Sequence, residues 1–189
     1  KKKAISFQPQ SARAYLTRGC LKLTTEQYEL ALADLTAAIQ ISSDSLAFYN
    51  RGVCFQRMGE SRKALQDYST VLLLDKTDNH VVYLNRGILY FSLGDYSNAL
   101  QDFLVVQRAP GLEHDPWVLH SIALCRHRTG DLEGAVQDYT ALQAQYPEFT
   151  DALIGRGNAY MDYGHDQVDN NNTKKKKEEE KRKKERMNE

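Results

Sequence analysis

Two ladders built mostly of glycine climb this chain in step, and no other feature constrains its fold as tightly. Gly19, Gly52, Gly87, Ala123 and Gly157 are separated by 33, 35, 36 and 34 residues. Glu26, Gly59, Gly94, Gly130 and Gly164 follow at the same intervals. Ladders that stretch and shrink together mark an array of repeats, each packing on its neighbours rather than around one central core. The clearest unit contains Tyr83–Phe103, YLNRGILYFSLGDYSNALQDF, which reads as two short amphipathic helices broken at Gly94-Asp95. Gly87 and Ala99 stand where the two helices must touch, and Tyr83, Tyr90 and Phe103 fill the remaining gaps. Gly94 can end the first helix in a left-handed conformation, and Asp95 can cap the second.

The same scheme divides the chain. Residues 1–11 read as the end of a preceding repeat's helix, stopped by Pro9. Whole units follow at 12–44, 45–78, 79–115 and 116–149, then a first helix at 150–165. The chain therefore reads either as a fragment of a longer array or as one with a truncated first repeat. Its outer helices leave apolar faces uncovered, which predicts end-to-end self-association. Residues 166–189 form a charged, low-complexity tail with nine Lys or Arg and seven Asp or Glu, leaving sixteen against eighteen for the rest of the chain. Such a tail buries no core; a lone salt-bridged helix after Thr173 and disorder are its two readings.

Composition narrows the function. Lys and Arg number 25 and Asp and Glu 25, so a broad basic face for nucleic acid is disfavoured. The array's slight negative charge also counts against an RNA-reading helical repeat. No apolar run reaches membrane-spanning length, and KKKAISFQPQ lacks the apolar core of a signal peptide. Cys20, Cys54 and Cys125 are odd in number and lack metal-ligand spacing, which points to a reducing, cytoplasmic setting. His120 and His127 share a helix face but lack a third ligand one turn away, so no metal site is expected. The chain contains no H-E-x-x-H, G-x-S-x-G or phosphate-loop pattern. The expectation is a non-catalytic protein with no cofactor.

The motif Tyr83, Arg86-Gly87, Tyr90, Gly94, Tyr96, Ala99 and Phe103, with its counterparts in the other units, resembles the tetratricopeptide repeat, a helix-turn-helix unit of about 34 residues. That resemblance covers nearly all of residues 3–164. It implies an all-α fold, a right-handed superhelix (an α-α solenoid) of stacked antiparallel helix pairs with a concave inner face. It also implies a protein–protein interaction scaffold, of the sort that serves multi-protein assemblies, ciliary, cytoskeletal and trafficking ones among them. The alternative is a substrate-recruiting or co-chaperone module of a larger protein. Two departures stand out: Lys22 replaces an aromatic and Glu26 replaces the turn glycine, so the first unit should pack less well there.

The groove of this family is lined by the first helix of each unit. Carried over position by position, its partner-binding residues are Leu16 in the first unit, then Leu46, Tyr49, Val53 and Arg57 in the second. The third contributes Val81, Leu84, Ile88 and Phe91, and the fourth Trp117, His120, Leu124, His127 and Arg128. Ile154 and Asn158 extend the line in the last helix. An apolar middle with a wetter, more basic fourth unit suits an extended peptide or a partner helix with apolar anchors. Trp117 reads either as an anchor or as a helix-start residue covering the preceding loop. A chaperone-tail clamp is disfavoured, because Leu16 and Cys20 stand where the clamp needs Lys and Asn; Asn50 and Asn85 are common in the family for packing alone. Finally, Arg18, Arg51 and Arg86 are each followed sixteen residues later by Asp34, Asp67 and Asp102, and the fourth unit keeps Asp138 but has Ile122 for the Arg. Each Arg is expected to pair with an Asp of its own or the neighbouring unit, the alternative being a solvated Arg at the groove rim.

Overall fold

The computed structural model describes residues 11–75 and 79–164. The expected helix end before residue 11 and the charged tail lie outside the described residues. Within them the chain is a succession of helices: α1 (Ala12–Thr24), α2 (Tyr28–Ile41), α3 (Ser45–Arg57), α4 (Ser61–Leu74), α5 (His80–Ser92), α6 (Tyr96–Gln107), α7 (Pro116–Thr129) and α8 (Leu132–Gln145). A ninth helix, α9, occupies 150–164. The fold is all-α, as expected. The chain divides into two compact units at Pro110–Gly111.

In the N-terminal unit, α1 and α2, α3 and α4, and α5 and α6 form three hairpins, with α3 packed on α2 and α5 on α4. Close approach explains the first ladder. A Cβ on Gly52 would stand 2.8 Å from the Tyr68 ring, and one on Gly87 3.0 Å from the Phe103 ring. Helix pairs at this separation need glycine on one side and a small residue, Ala31, Ala64 or Ala99, on the other; all three alanines are fully buried. In the C-terminal unit Ala123 takes the glycine's place in α7, and α7, α8 and α9 share a core of Ala123, Ala135, Tyr139, Leu142, Ala152 and Ala159. In α9 the residue against Tyr139 is Gly155; among the described residues nothing lies within 4 Å of a Cβ placed on Gly157. The last rung of the ladder keeps its register but faces outward.

The second ladder marks chain reversals. Gly59, Gly94 and Gly130 adopt φ of 78°, 81° and 86°, and Glu26 is held at φ 60° in the equivalent place. Asp95 caps α6 by accepting from the Asn98 N–H at 3.2 Å, and Asp115 caps α7 by accepting from Trp117 and Val118 at 2.9 and 3.0 Å. A left-handed glutamate is strained where glycine is not. Glu26→Gly is therefore expected to raise the stability of the first hairpin by about 1 kcal/mol, seen as a higher urea midpoint; an unchanged or lower midpoint would refute the strain.

Cys20, Cys54 and Cys125 are all free thiols. Burial pushes the Cys54 thiol up to about 11 and the Cys125 thiol up to about 12, so both behave as core apolar groups rather than nucleophiles. No described helix is long and apolar enough to cross a membrane.

Candidate functional site

In the N-terminal unit each hairpin is locked by a forked Arg–Asp clasp. Arg18 donates through Nε and Nη2 to both carboxylate oxygens of Asp34, at 2.7 and 2.6 Å. Arg51 grips Asp67 in the same forked way at 2.8 and 2.8 Å, and Arg86 grips Asp102 at 2.8 and 2.7 Å. Every Arg thus pairs within its own hairpin. Arg86 also donates to Ser69 of the preceding hairpin at 3.2 Å, tying neighbours together. The guanidinium lies over aromatic rings one turn to either side, Phe48 and Phe55 for Arg51, Tyr83 and Tyr90 for Arg86. Asp34, Asp67 and Asp102 are buried; the Arg51 and Arg86 side chains are largely covered too, so their pairs are desolvated and geometrically exacting, whereas the Arg18 side chain is half exposed.

Two departures rework the clasp. Lys22 replaces the second ring around Arg18, and its Nζ reaches Asp34 at 2.8 Å, so the residue read from sequence as a packing defect is a second cation. The Arg18 hydrogen bond, ahead of the opposing effect of burial, holds the Asp34 carboxyl below the ordinary range. In α7 the Arg position is Ile122, and the cation has moved one turn on to Arg126, whose Nη1 approaches Asp138 Oδ2 to 2.7 Å. Burial dominates and pushes the Asp138 carboxyl up, while the charge of Arg126 and its hydrogen bond pull that carboxyl down.

With the hairpins locked, the first helices present their opposite positions. In the N-terminal unit Leu46, Val81 and Ile88 are exposed, at 52%, 43% and 45%, and Arg57 is exposed beside them. Tyr49, Val53, Leu84 and Phe91 are half-buried. The Tyr49 ring packs 6.0 Å from Tyr68 and its hydroxyl accepts from Asn85 Nδ2 at 3.2 Å, while Phe91 meets Tyr96 edge-on at 5.1 Å. Asn50 donates to the Leu46 carbonyl at 2.7 Å. Leu16 is a correction: it is only 9% exposed and sits in the core formed by α1, α2 and α3. Its place facing the next hairpin, with α3 packed over it, removes it from any contact surface.

Between α3, α4 and α5 lies a depression of about 430 Å³ lined by Ser45, Leu46, Tyr49, Val71, Asp75, Asn79 and Val81. Its volume is that of a pocket for one or two side chains. Apolar walls from Leu46 and Val81 stand over Tyr49 and Val71, with the Asp75 and Asn79 side chains beside them. Val71, Asp75 and Asn79 escaped sequence reading, because they come from the end of a second helix and the loop after it. The sequence signal was available: each second helix ends where the next first helix begins.

The C-terminal unit carries an aromatic platform instead. Trp117 is 62% exposed and meets Phe149 edge-on at 4.9 Å. His120 is half-buried, 5.6 Å from Phe149 and 5.7 Å from Tyr139, and burial lowers its pKa. His127 Nε2 lies 2.8 Å from Asp162 Oδ2, joining α7 to α9. Leu124 is half-buried; Arg128, Ile154 and Asn158 are exposed. The platform residue Phe149 was missed, its signal being an aromatic just after Pro147. Among the described residues no group of His, Cys, Asp or Glu is placed to hold a metal ion.

Comparison with known proteins agrees with this geometry. Tetratricopeptide repeat families match residues 12–45, 45–78, 80–104 and 118–148. Human tetratricopeptide repeat protein 6 is 46% identical over 155 residues, 82% of this chain and 29% of that protein. Human serine/threonine-protein phosphatase 5 is 36% identical over 76 residues, 40% of this chain and 15% of the phosphatase. The chain thus spans less than a third of either relative. Among solved structures, YrrB, described as a TPR protein with an unusual peptide-binding site, superposes with a TM-score of 0.75 at 21% identity, covering 86% of this chain and 82% of YrrB.

Proposed function

The chain belongs to the tetratricopeptide repeat family and is a protein-interaction scaffold, and on that premise we propose that its N-terminal unit holds an extended peptide or helix of a partner protein on the first-helix faces of α3 and α5. The observation that carries this reading is the depression bounded by Leu46, Tyr49, Val71 and Val81. A partner's apolar side chain enters it, while Asn79 at its edge meets a polar group of the partner. Exposed Ile88 extends the apolar strip along α5. The scaffold acts without catalysis, in a multi-protein assembly. Three free thiols support a reducing compartment such as the cytoplasm.

The test is selection of binding peptides from a random library displayed on phage, using the full chain as bait. The selected peptides are then titrated against Leu46→Asp/Val81→Asp. Both positions are exposed, so circular dichroism should report unchanged helix content. Losing one buried apolar anchor weakens binding about tenfold or more. Peptides that bind the double variant as tightly as the native chain would rule out this surface.

A further inference from the structure

We infer that α9 is the docking site for a helix of another protein, and that this helix carries the pattern Ala-x-x-Asp-Φ-x-x-Φ, where Φ is an aromatic or aliphatic residue. The pattern comes from within the molecule. Ala31, Asp34, Leu35 and Ala38 in α2 are buried at this spacing, as are Ala64, Asp67, Tyr68 and Val71 in α4. In α6 the set is Ala99, Asp102, Phe103 and Val106. Each covers a first helix through an aromatic, an Arg, a glycine and, in α3 and α5, a second aromatic. In α5 these are Tyr83, Arg86, Gly87 and Tyr90.

Helix α9 presents the same face, with Leu153, Arg156, Gly157 and Tyr160 in the same register. Nothing among the described residues covers it. Leu153 and Tyr160 are 49% and 53% exposed, and a Cβ on Gly157 would meet no atom within 4 Å. Among the described residues Arg156 has no carboxylate partner, although its counterparts Arg18, Arg51 and Arg86 all have one. The opposite side of α9 is already used, since Ala152 and Ala159 are fully buried in the core with Tyr139. Residues 166–189 contain no alanine and no aromatic, and Asn172 stands sixteen residues after Arg156 where an Asp would be required. The face therefore selects a helix from elsewhere, with a carboxylate for Arg156 and a small residue opposite Gly157.

The probe is a fluorescein-labelled α6 peptide, Tyr96–Gln107, hydrocarbon-stapled between the exposed positions 97 and 101 because so short a helix is marginal alone. It is titrated with the full chain by anisotropy. Saturable binding is expected, weakened about tenfold or more by Asp102→Asn in the peptide or Arg156→Glu in the chain. Asp102→Lys in the peptide should restore binding to Arg156→Glu. Gly157→Leu is the sharpest arm, because leucine favours a helix and a Cβ there meets no neighbour among the described residues, yet the side chain blocks the approach a docked helix needs. Its melting temperature should be equal to or above the native value while binding is lost. Leu46→Asp/Val81→Asp should leave this binding unchanged, which separates the site from the α3–α5 surface. Absence of binding, or equal binding to Arg156→Glu and Gly157→Leu, overturns the proposal. So does a peptide-free dimer in sedimentation that Gly157→Leu abolishes, since the occupant would then be a second copy of this chain.

Discussion

Asp67→Ala is expected to destabilise the N-terminal unit by about 3 kcal/mol, the magnitude for stripping one partner from a desolvated ion pair. Asp67 is buried, the Arg51 side chain is only 20% exposed, and the two share two charge-assisted hydrogen bonds of 2.8 Å. Removing the carboxylate leaves a guanidinium between Phe48 and Phe55 with no countercharge. The measurement is urea unfolding, with hydrogen exchange of α3 and α4 amides to place the loss. The internal control is Asp138→Asn in the C-terminal unit. There burial already pushes the carboxyl up against the pull of Arg126, so a change within about 1 kcal/mol is expected. Equal losses at the two sites would mean that side-chain shape, not charge pairing, sets the stability of both.

Acid should separate Asp34 from Asp138. The folded-state pKa of Asp34 is depressed, so its contribution is present above the unfolded value and is lost as pH falls through the folded one. The folded-state pKa of Asp138 is raised, so it takes up its proton first, and acidification toward the unfolded value adds to the stability of its hairpin.

Tyr68→Ala should cost still more, about 3–5 kcal/mol, as for other large aromatics removed from a packed core. The ring is fully buried, touches the bare backbone of Gly52 and packs on Tyr49. Gly52, the residue directly facing the ring, has no side chain to move into the cavity. The Tyr68 hydroxyl donates to Gln56 Oε1 at 2.7 Å, so Tyr68→Phe should lose only about 1 kcal/mol. Chemical denaturation of the three proteins checks the ranking. A Tyr68→Ala loss no larger than that of Tyr68→Phe would contradict the account of glycine and ring as one interlocking pair.

Much of the architecture was legible because repetition multiplies weak signals. One glycine says little, but five small residues in step with five turn positions require stacked hairpins, and the sixteen-residue Arg–Asp spacing was enough to expect the clasps. Where reading failed, it failed through following single columns of the repeat. Ile122 looked like a lost cation, yet residues four apart share a helix face, so Arg126 reaches the same Asp138. Lys22 looked like a missing ring for the same reason. Leu16 was carried into the groove by position, although its burial depends on α3 lying over it.

The sequence by itself determined the all-α hairpin array, its register, its turns, its caps and its pairing code, because these depend on local conformation and on residues within one hairpin. Tertiary structure alone decided which apolar positions stay open. Leu46 and Val81 bound a depression because the end of α4 brings Val71 between their helices. Leu153 and Tyr160 stand open on a face that is closed in the equivalent helices α3 and α5. Exposure is a property of what lies across from a residue, and only the packed chain supplies that neighbour.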